Sequence, residues 1–208
     1  MNFETTKDRI IYESLRLFAE KGFDGVSMRE IAAAVGMKAA SLYSHFKGKE
    51  AIYTSIVDTM KSRYNDEVMN LQIDGNDPSA DVKVYEQISS EQLYGIGREL
   101  FVYFVHDEYT RMYRKMLTIG QFQNEMIAQE YSRQYYDEAI TYQRQLFTML
   151  AQMGNFKDAD YEVMALHFYA PIYTMITICD RQPEREDEML ELLRKHIEQF
   201  VKVYVLKN

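Results

Sequence analysis

The stretch "SMREIAAAVGMKAASLYSHFKGKE", residues 27–50, contains two short helical patterns separated by a glycine. Ser27 and Glu30 form the S-x-x-E capping box that begins a helix, directly before the apolar Ile31. Gly36 is expected to end this helix, because glycine readily adopts the left-handed conformation found at helix C-termini. The pattern then predicts a second helix over residues 38–46. Two short helices joined in this way indicate a helix-turn-helix.

Helical periodicity continues on both sides of this stretch and predicts an all-α protein. Upstream, apolar residues recur at helical spacing over residues 7–21, and Gly22 ends the pattern. Downstream, the turn-rich "IDGNDPSAD", residues 73–81, separates further predicted helices. We expect about nine helices in total, with the remaining six over residues 49–71, 82–106, 109–121, 125–153, 160–179 and 184–207. The sequence shows neither sustained strand alternation nor an Asn-Gly hairpin signal.

A helical wheel assigns the residues of the third predicted helix to different sides. The inward side contains Ala39, Leu42 and Phe46, and the outward side contains Ala40, Ser41 and Ser44, with Lys38, Tyr43 and His45 beside it. Such a helix suits the DNA major groove, because its outer face is small and its flanking side chains can reach phosphates. Ser27, Arg29 and Lys49 are further candidates for contacts, since free N–H groups at helix N-termini attract anions.

The charge of the chain is unevenly distributed. The formal net charge is −8, yet residues 1–50 hold eight Lys and Arg against seven Asp and Glu. The remaining residues hold sixteen Lys and Arg against twenty-five Asp and Glu. This asymmetry is compatible with nucleic-acid binding through the N-terminal part alone.

Cysteine content and hydropathy indicate a cytoplasmic protein. The single cysteine, Cys179, excludes an internal disulfide framework. The residues after Met1 do not form a basic start followed by an apolar run, so we expect no signal peptide. The longest uncharged apolar run expected from the sequence, residues 170–179, is shorter than the roughly 20 residues that span a membrane.

Motifs of the common enzyme classes are missing from the sequence. A di-iron bundle needs Glu-x-x-His motifs, but the residues three before the four histidines are Leu42, Tyr103, Met164 and Leu193. "GIG" at residues 95–97 lacks the third glycine of a dinucleotide loop, and neither a P-loop nor a zinc-ligand spacing occurs. We therefore expect a protein that is not an enzyme and holds neither a metal nor a cofactor.

Residues 9–53 resemble the DNA-binding domain of the TetR family of transcriptional regulators, and the matching stretch is "LFAEKGFDGVSMREIAAAVGMKAASLYSHFKGKEAIY", residues 17–53. The residues that carry the resemblance, in the family's order and spacing, are Leu17, Phe18, Gly22, Ile31, Ala32, Gly36, Leu42, Tyr43, Phe46, Lys49 and Glu50. Lys38 stands where the family often has a capping Ser or Thr, and Ala39 and Ala40 replace residues that are often polar or glycine. These departures affect the expected operator sequence.

The resemblance implies a homodimer with a helix-turn-helix domain over residues 1–48 and a ligand-binding and dimerisation domain over residues 49–208. Residues 49–71 would form the connecting helix. Ser27, Tyr43 and Lys49 fall on positions that commonly hold phosphates, and residues 38–41, 44 and 45 cover the reading surface. The implied function is a repressor that binds a palindromic operator and is released by a small molecule. A transcriptional activator of the same family and a helical protein-interaction scaffold without specific DNA binding are the alternatives.

The resemblance also implies a small-molecule pocket and a dimer surface in the second domain. Candidate pocket residues are Arg98, Phe101, Tyr113, Met116, Phe122, Tyr135, Phe147, Phe168 and Met175. Apolar residues in the last predicted helix step by three and four, which indicates a packing seam, and Val203 widens it. With the helix before it, this seam gives the expected interface residues Met164, Phe168, Ile172, Met175, Leu190, Leu193, Ile197, Phe200 and Tyr204.

Overall fold

The computed structural model of the chain describes residues 3–206, and helices dominate this range. The α-helices are α1 (Thr6–Lys21), α2 (Met28–Val35), α3 (Ala39–Tyr43), α4 (Lys49–Asn70), α5 (Pro78–Glu86), α6 (Ser90–His106), α7 (Glu108–Gly120), α8 (Glu125–Ser132), α9 (Glu138–Gln152), α10 (Tyr161–Arg181) and α11 (Glu186–Tyr204). Within residues 3–206, β-structure is limited to an isolated antiparallel bridge between Phe156 and Val205. The predicted all-α fold class is confirmed. The predicted end of the last helix at Lys207 lies outside the described residues.

The chain divides into two compact units. Unit 1 contains the residues up to Tyr64 together with Glu108–Tyr131, and unit 2 contains Asn65–Asp107 together with the residues from Ser132 onward. The packing therefore groups α1–α3 with most of α4 and with α7. The predicted boundary after residue 48, between the helix-turn-helix domain and the ligand-binding and dimerisation domain, stays a prediction.

Unit 1 has a core built on α1. This helix packs against α2 and α7, as its apolar spacing requires. Side chains with no measurable exposure in this unit include Ile10, Leu15, Phe18, Ile31, Leu42, Ile52, Ile56, Met116 and Leu117. The burial of Leu42 fixes α3 in this core, so the opposite side of α3 faces outward.

The two helix-boundary signals at Ser27 and Gly36 are confirmed. The Ser27 hydroxyl accepts from the Glu30 N–H, and the Glu30 carboxylate accepts from the Ser27 N–H. Gly36 lies in the left-handed region, with φ 72° and ψ 34°. The N–H of Met37 donates to the Ala32 carbonyl at 2.9 Å, which completes the turn that glycine permits.

Unit 2 has two apolar clusters joined by one side chain. The cluster formed by α6, α10 and α11 contains Phe101, Val105, Met175, Ile176, Cys179, Met189, Leu193 and Ile197. The cluster formed by α9, α10, α11 and the loop after α9 contains Leu146, Phe147, Leu150, Phe156, Met164, Ala165 and Phe200. Phe168 packs against both clusters, so α10 is the central helix of this unit.

α10 is more apolar than the sequence analysis assumed. The run without Asp, Glu, Lys or Arg begins at Val163 rather than at residue 170. By length and composition α10 could cross a membrane, with a mean hydropathy of 1.2, and it is the sole such helix in residues 3–206. Its packing against α6, α9 and α11 is that of a core helix in unit 2.

The single helix predicted over residues 82–106 is wrong, because two helices occupy this region. α5 begins earlier, at Pro78, with Asp77 as its N-cap, and ends at Glu86. α6 begins with a second capping box, in which the Ser89 hydroxyl accepts from the Gln92 N–H at 3.2 Å. The S-x-x-Q signal that starts α6 was therefore present in the sequence.

A π-helical turn, Arg133–Asp137, interrupts the single helix predicted over residues 125–153. It lies where the chain passes from unit 1 into unit 2, just after Tyr131. A π turn inserts one extra residue and so rotates the faces of the helix on its two sides. α8 can therefore bury Ile127 in unit 1 while α9 buries Phe147 in unit 2.

Five of the nine residues of the predicted dimer seam are buried within the chain itself, whereas Phe168, Ile172, Leu190 and Tyr204 are half-buried and stay a prediction. Met164, Met175, Leu193, Ile197 and Phe200 are at most 4% exposed. A side chain covered by its own chain has no surface left for a second copy. Exposed apolar side chains on α10 and α11 lie elsewhere, at Val163, Leu166, Leu192 and Val203.

Candidate nucleic-acid interface

α3 exposes the side that the helical wheel predicted. Leu42 and Phe46 are buried and Ala39 is half-buried. The side chains that are exposed on and next to α3 are Lys38, Ala40, Ser41, Tyr43, Ser44 and His45. The structure therefore places the predicted reading surface on one exposed side of unit 1.

α3 is shorter than predicted, because its last turn tightens after Tyr43. The Ser44 hydroxyl donates to the Ser41 carbonyl at 2.7 Å, and the His45 N–H donates to the Leu42 carbonyl at 3.0 Å. These contacts between residues three apart replace helical bonds. Because its hydroxyl hydrogen is used, Ser44 can only accept a hydrogen bond from a ligand in this conformation.

The eight lysine and arginine side chains of residues 3–50 fall into three groups. Two pair with carboxylates, namely Arg16 and Lys21. Two donate to backbone carbonyls, namely Arg9 and Lys49. The other four are exposed, and within residues 3–206 none of them has a carboxylate at ion-pair distance: Lys7, Arg29, Lys38 and Lys47.

Lys49 departs from the predicted role as an outward phosphate contact. Its ammonium donates to the Phe23 carbonyl at 2.8 Å and lies 4.6 Å from the centroid of the Phe23 ring. The lysine thus ties the first turn of α4 to the connection between α1 and α2. A cation over an aromatic face is held by the ring quadrupole in addition to the hydrogen bond.

Ser27 is exposed as predicted, but a carboxylate already occupies the helix end beside it. Glu30 accepts from both the Ser27 hydroxyl and the Ser27 N–H, and it pairs with Lys21 at 2.8 Å. The hydrogen bonds from Lys21 and Ser27 lower the pKa of Glu30 to about 2. A phosphate at this end of α2 would have to share these donors with Glu30.

Two cations near α3 were missed by the sequence analysis. Lys47 directly follows Phe46, and the Lys7 ammonium lies 5.6 Å from the centroid of the Phe46 ring. Lys47 could have been recognised from its place in "KGK", next to the predicted helix. Lys7 lies on α1, far away in sequence, so only the packing of α1 against the end of α3 reveals it.

The exposed side of α3 is therefore small, rich in hydroxyl groups and bordered by unpaired cations. Such a surface can approach a duplex closely and neutralise phosphates at its edges. Of the carboxylates on α1 and α2, Glu13, Glu20 and Glu30 pair with Arg16 or Lys21, away from α3.

Comparison with known proteins decides the family. The model of "Bacterial regulatory proteins, tetR family" matches residues 10–56. A curated relative from Staphylococcus aureus, the biofilm operon icaADBC HTH-type negative transcriptional regulator IcaR, is 32% identical over 144 residues, which is 64% of this chain and 70% of the relative. This chain belongs to the TetR family. The family consists of DNA-binding transcriptional regulators, so the enzyme classes are excluded.

Solved structures of the TetR family share the fold along the whole chain. A protein from Mesorhizobium loti assigned to the family has a TM-score of 0.71 at 19% identity and covers 97% of both chains. A complex of SmeT with triclosan has a TM-score of 0.67 at 17% identity and covers 98% of this chain and 93% of SmeT. SmeT is the repressor of the Stenotrophomonas maltophilia efflux pump SmeDEF.

The predicted pocket residues of this TetR-family chain are divided between the two units. Tyr113, Met116 and Phe122 belong to unit 1. Phe122 is 89% exposed in the turn after α7, so it lines no pocket within that unit. In unit 2, Phe101, Phe147, Phe168 and Met175 are members of the apolar clusters, Tyr135 is buried in the π turn, and Arg98 is exposed beside Glu99.

Proposed function

We propose that this TetR-family regulator is a repressor that binds a near-palindromic operator as a homodimer. The observation that carries the proposal is the exposed side of α3, which bears small side chains and is bordered by unpaired cations. IcaR, a relative at 32% identity, is a negative regulator, which favours repression over activation for this chain. A repressor needs only to occupy its operator, and an α3 placed in the major groove is sufficient for that.

The dimer in this proposal forms through the exposed apolar side of α10 and α11. Leu166 on α10 and Leu192 on α11 are each about half exposed, at 51% and 46%. Val163 on α10 and Val203 on α11 are also exposed, at 44% and 41%. Such large apolar side chains on adjacent helices favour contact with a second copy, because pairing removes them from water. Two copies would present two α3 helices to two half-sites one helical turn apart.

The effector in this proposal is a small molecule that binds unit 2 and lowers DNA affinity. SmeT, which shares the fold, has been solved with triclosan, which supports a small-molecule effector here without naming it. α4 runs from unit 1 into unit 2 as one helix, so a displacement of its C-terminal half is transmitted along a rigid element.

Selection of bound sequences from a random duplex DNA library tests this function. We expect enrichment of a two-fold symmetric motif by the dimeric protein. Enrichment of an asymmetric motif would contradict the palindromic operator. A folded dimer that enriches no sequence at low salt would instead support the protein-interaction scaffold, since all DNA binding has a salt-dependent electrostatic component. An operator placed upstream of a reporter gene then distinguishes a repressor from an activator.

A further inference from the structure

Phe46, at the end of the α3 region, is bordered by two lysines from different parts of the chain. Lys47 is the next residue in the sequence, and the Lys7 ammonium of α1 lies 5.6 Å from the Phe46 ring centroid. Both lysines are exposed. Neither has a carboxylate at ion-pair distance in the part of the chain that the structure describes. These two exposed cations, one near the Phe46 ring and the other next to Phe46 in the chain, can attract an anionic ligand.

The position of Lys7 on α1 has no benefit for the helix itself. Lys7 lies in the first turn, where the positive end of the helix dipole disfavours a cation. The N-cap is provided by Thr5 and Asp8, which form a capping box without it. The stability of α1 therefore does not account for this lysine, whose ammonium lies 5.6 Å from the Phe46 ring centroid, and this exposed ammonium is left able to bind a ligand near α3.

Lys49 has the opposite environment, although it is only two residues from Lys47. Its ammonium is held by the Phe23 carbonyl at 2.8 Å and by the Phe23 ring. Turning outward to a phosphate would break both contacts and leave the Phe23 carbonyl without this donor. Losing these contacts would destabilise the connection between α1 and α2.

We propose that Lys7 and Lys47, rather than Lys49, supply the lysine contacts to DNA phosphates at the end of α3, while Lys49 holds the α1–α2 connection in place. This inference rests on the proposed operator binding. It extends the DNA footprint beyond the helix-turn-helix to the first turn of α1. The ligand chemistry is that of a nucleic-acid phosphate, and the lysines act as mobile point charges.

Salt dependence separates these roles, because each neutralised phosphate contributes about 0.9 to the slope of log K against log salt concentration. The affinity for the duplex recovered in the selection is measured over a range of salt concentrations for K7Q, K47Q and K49Q. Glutamine removes the charge and still offers an N–H donor, so K49Q can keep a bond to the Phe23 carbonyl. Lys61 provides the matched control, because it is exposed on α4 about 18 Å along the helix from Lys49.

We expect K7Q and K47Q each to lower the magnitude of the slope by about 1.8, which is about 0.9 for each of the two subunits, whereas K49Q and K61Q keep the slope of the natural protein. K49Q, in contrast to K61Q, should lower the midpoint of thermal unfolding measured by circular dichroism. The inference is wrong if K7Q or K47Q leaves the slope unchanged, or if K49Q lowers the slope as much as K47Q does. Operator binding by the natural protein stands in either case. Absence of DNA binding by the natural protein would overturn the proposed function itself.

Discussion

α3 in unit 1 and α11 in unit 2 distribute their apolar side chains differently. In and beside α3, Leu42 and Phe46 are buried, and the exposed positions are small, polar or charged except for Tyr43. In α11, Leu193 is completely buried, whereas its neighbour Leu192 is 46% exposed. The first helix has one apolar side and therefore one way to pack. The second has a buried apolar side and an exposed side on which Leu192 and Val203 lie among charged and polar residues. Exposed apolar side chains of this kind can bind a partner.

The largest expected effect comes from the neighbouring leucines of α11. Leu193→Ala should lower the free energy of unfolding by about 3 kcal/mol, because it leaves a cavity in the core of unit 2. Leu192→Ala should change the free energy of unfolding within a single copy by no more than about 0.5 kcal/mol. Urea unfolding at several protein concentrations measures both values, since the contribution of dimerisation changes with concentration and that within a single copy does not.

A charge at the same two positions sharpens the comparison. Leu192→Glu should give a folded monomer by size-exclusion chromatography with light scattering, since it places a charge on the proposed interface. Leu193→Glu should fail to fold, because the charge would be buried without a partner. If Leu192→Glu stays dimeric, α11 does not carry the interface. An equal loss of stability in the two alanine variants would contradict the two-sided description of α11.

The second largest effect is expected at the turn between α4 and α5. Asp81 is only 2% exposed, and its carboxylate accepts from the N–H groups of Asp74 and Gly75 and from the Tyr142 hydroxyl, at 2.6–2.8 Å. Asp81→Ala should cost about 2 kcal/mol, because these partly buried donors lose a charged acceptor. Tyr142→Phe removes one of the three bonds and should cost about half as much. Equal losses in the two variants would show that the backbone bonds contribute little.

The smallest effect concerns the capping box of α2, where Glu30 also pairs with Lys21 of α1. Hydrogen bonds from Lys21 and Ser27 lower the pKa of Glu30 from 4.5 to about 2. A lowered pKa means that the ionised carboxylate stabilises the folded state above pH 4.5, and that this contribution is lost as the pH falls toward 2. The difference in thermal midpoint between the natural protein and Glu30→Gln should therefore shrink over this interval.

A control for this pH dependence is Lys21→Gln, which removes the main donor to the same carboxylate. It should reproduce most of the effect of Glu30→Gln on the pH profile. A difference between the natural protein and Glu30→Gln that is constant from neutral pH to about 2 would show that the charge of Glu30 is not involved.

Local signals in the sequence were accurate where one short segment contains all the interacting groups. The Ser27–Glu30 capping box and Gly36 could be recognised because each acts within its own turn. The Ser89–Gln92 capping box has the same form, but it lies within a region of continuous helical periodicity and was therefore missed. The π turn of residues 133–137 has no such local pattern, since it depends on which unit each half of the helix joins.

In the candidate nucleic-acid interface, too, features set within one short segment were predicted and features that depend on distant residues were not. The outward side of α3 followed from its periodicity, because one turn of helix sets the direction of each side chain. The partners of Lys7 and Lys49 did not, since Phe46 and Phe23 lie 39 and 26 residues away in sequence.

The sequence by itself determined the all-α class, the positions of most helices and the family, because these depend on periodicity, caps and a specific motif within short segments. Only the tertiary structure decided which apolar side of α10 and α11 is buried and which of the neighbouring lysines Lys47 and Lys49 is held by a carbonyl. Both choices depend on groups that are distant in the chain. Periodicity gives the faces of a helix, but burial and pairing are properties of what packs against each face.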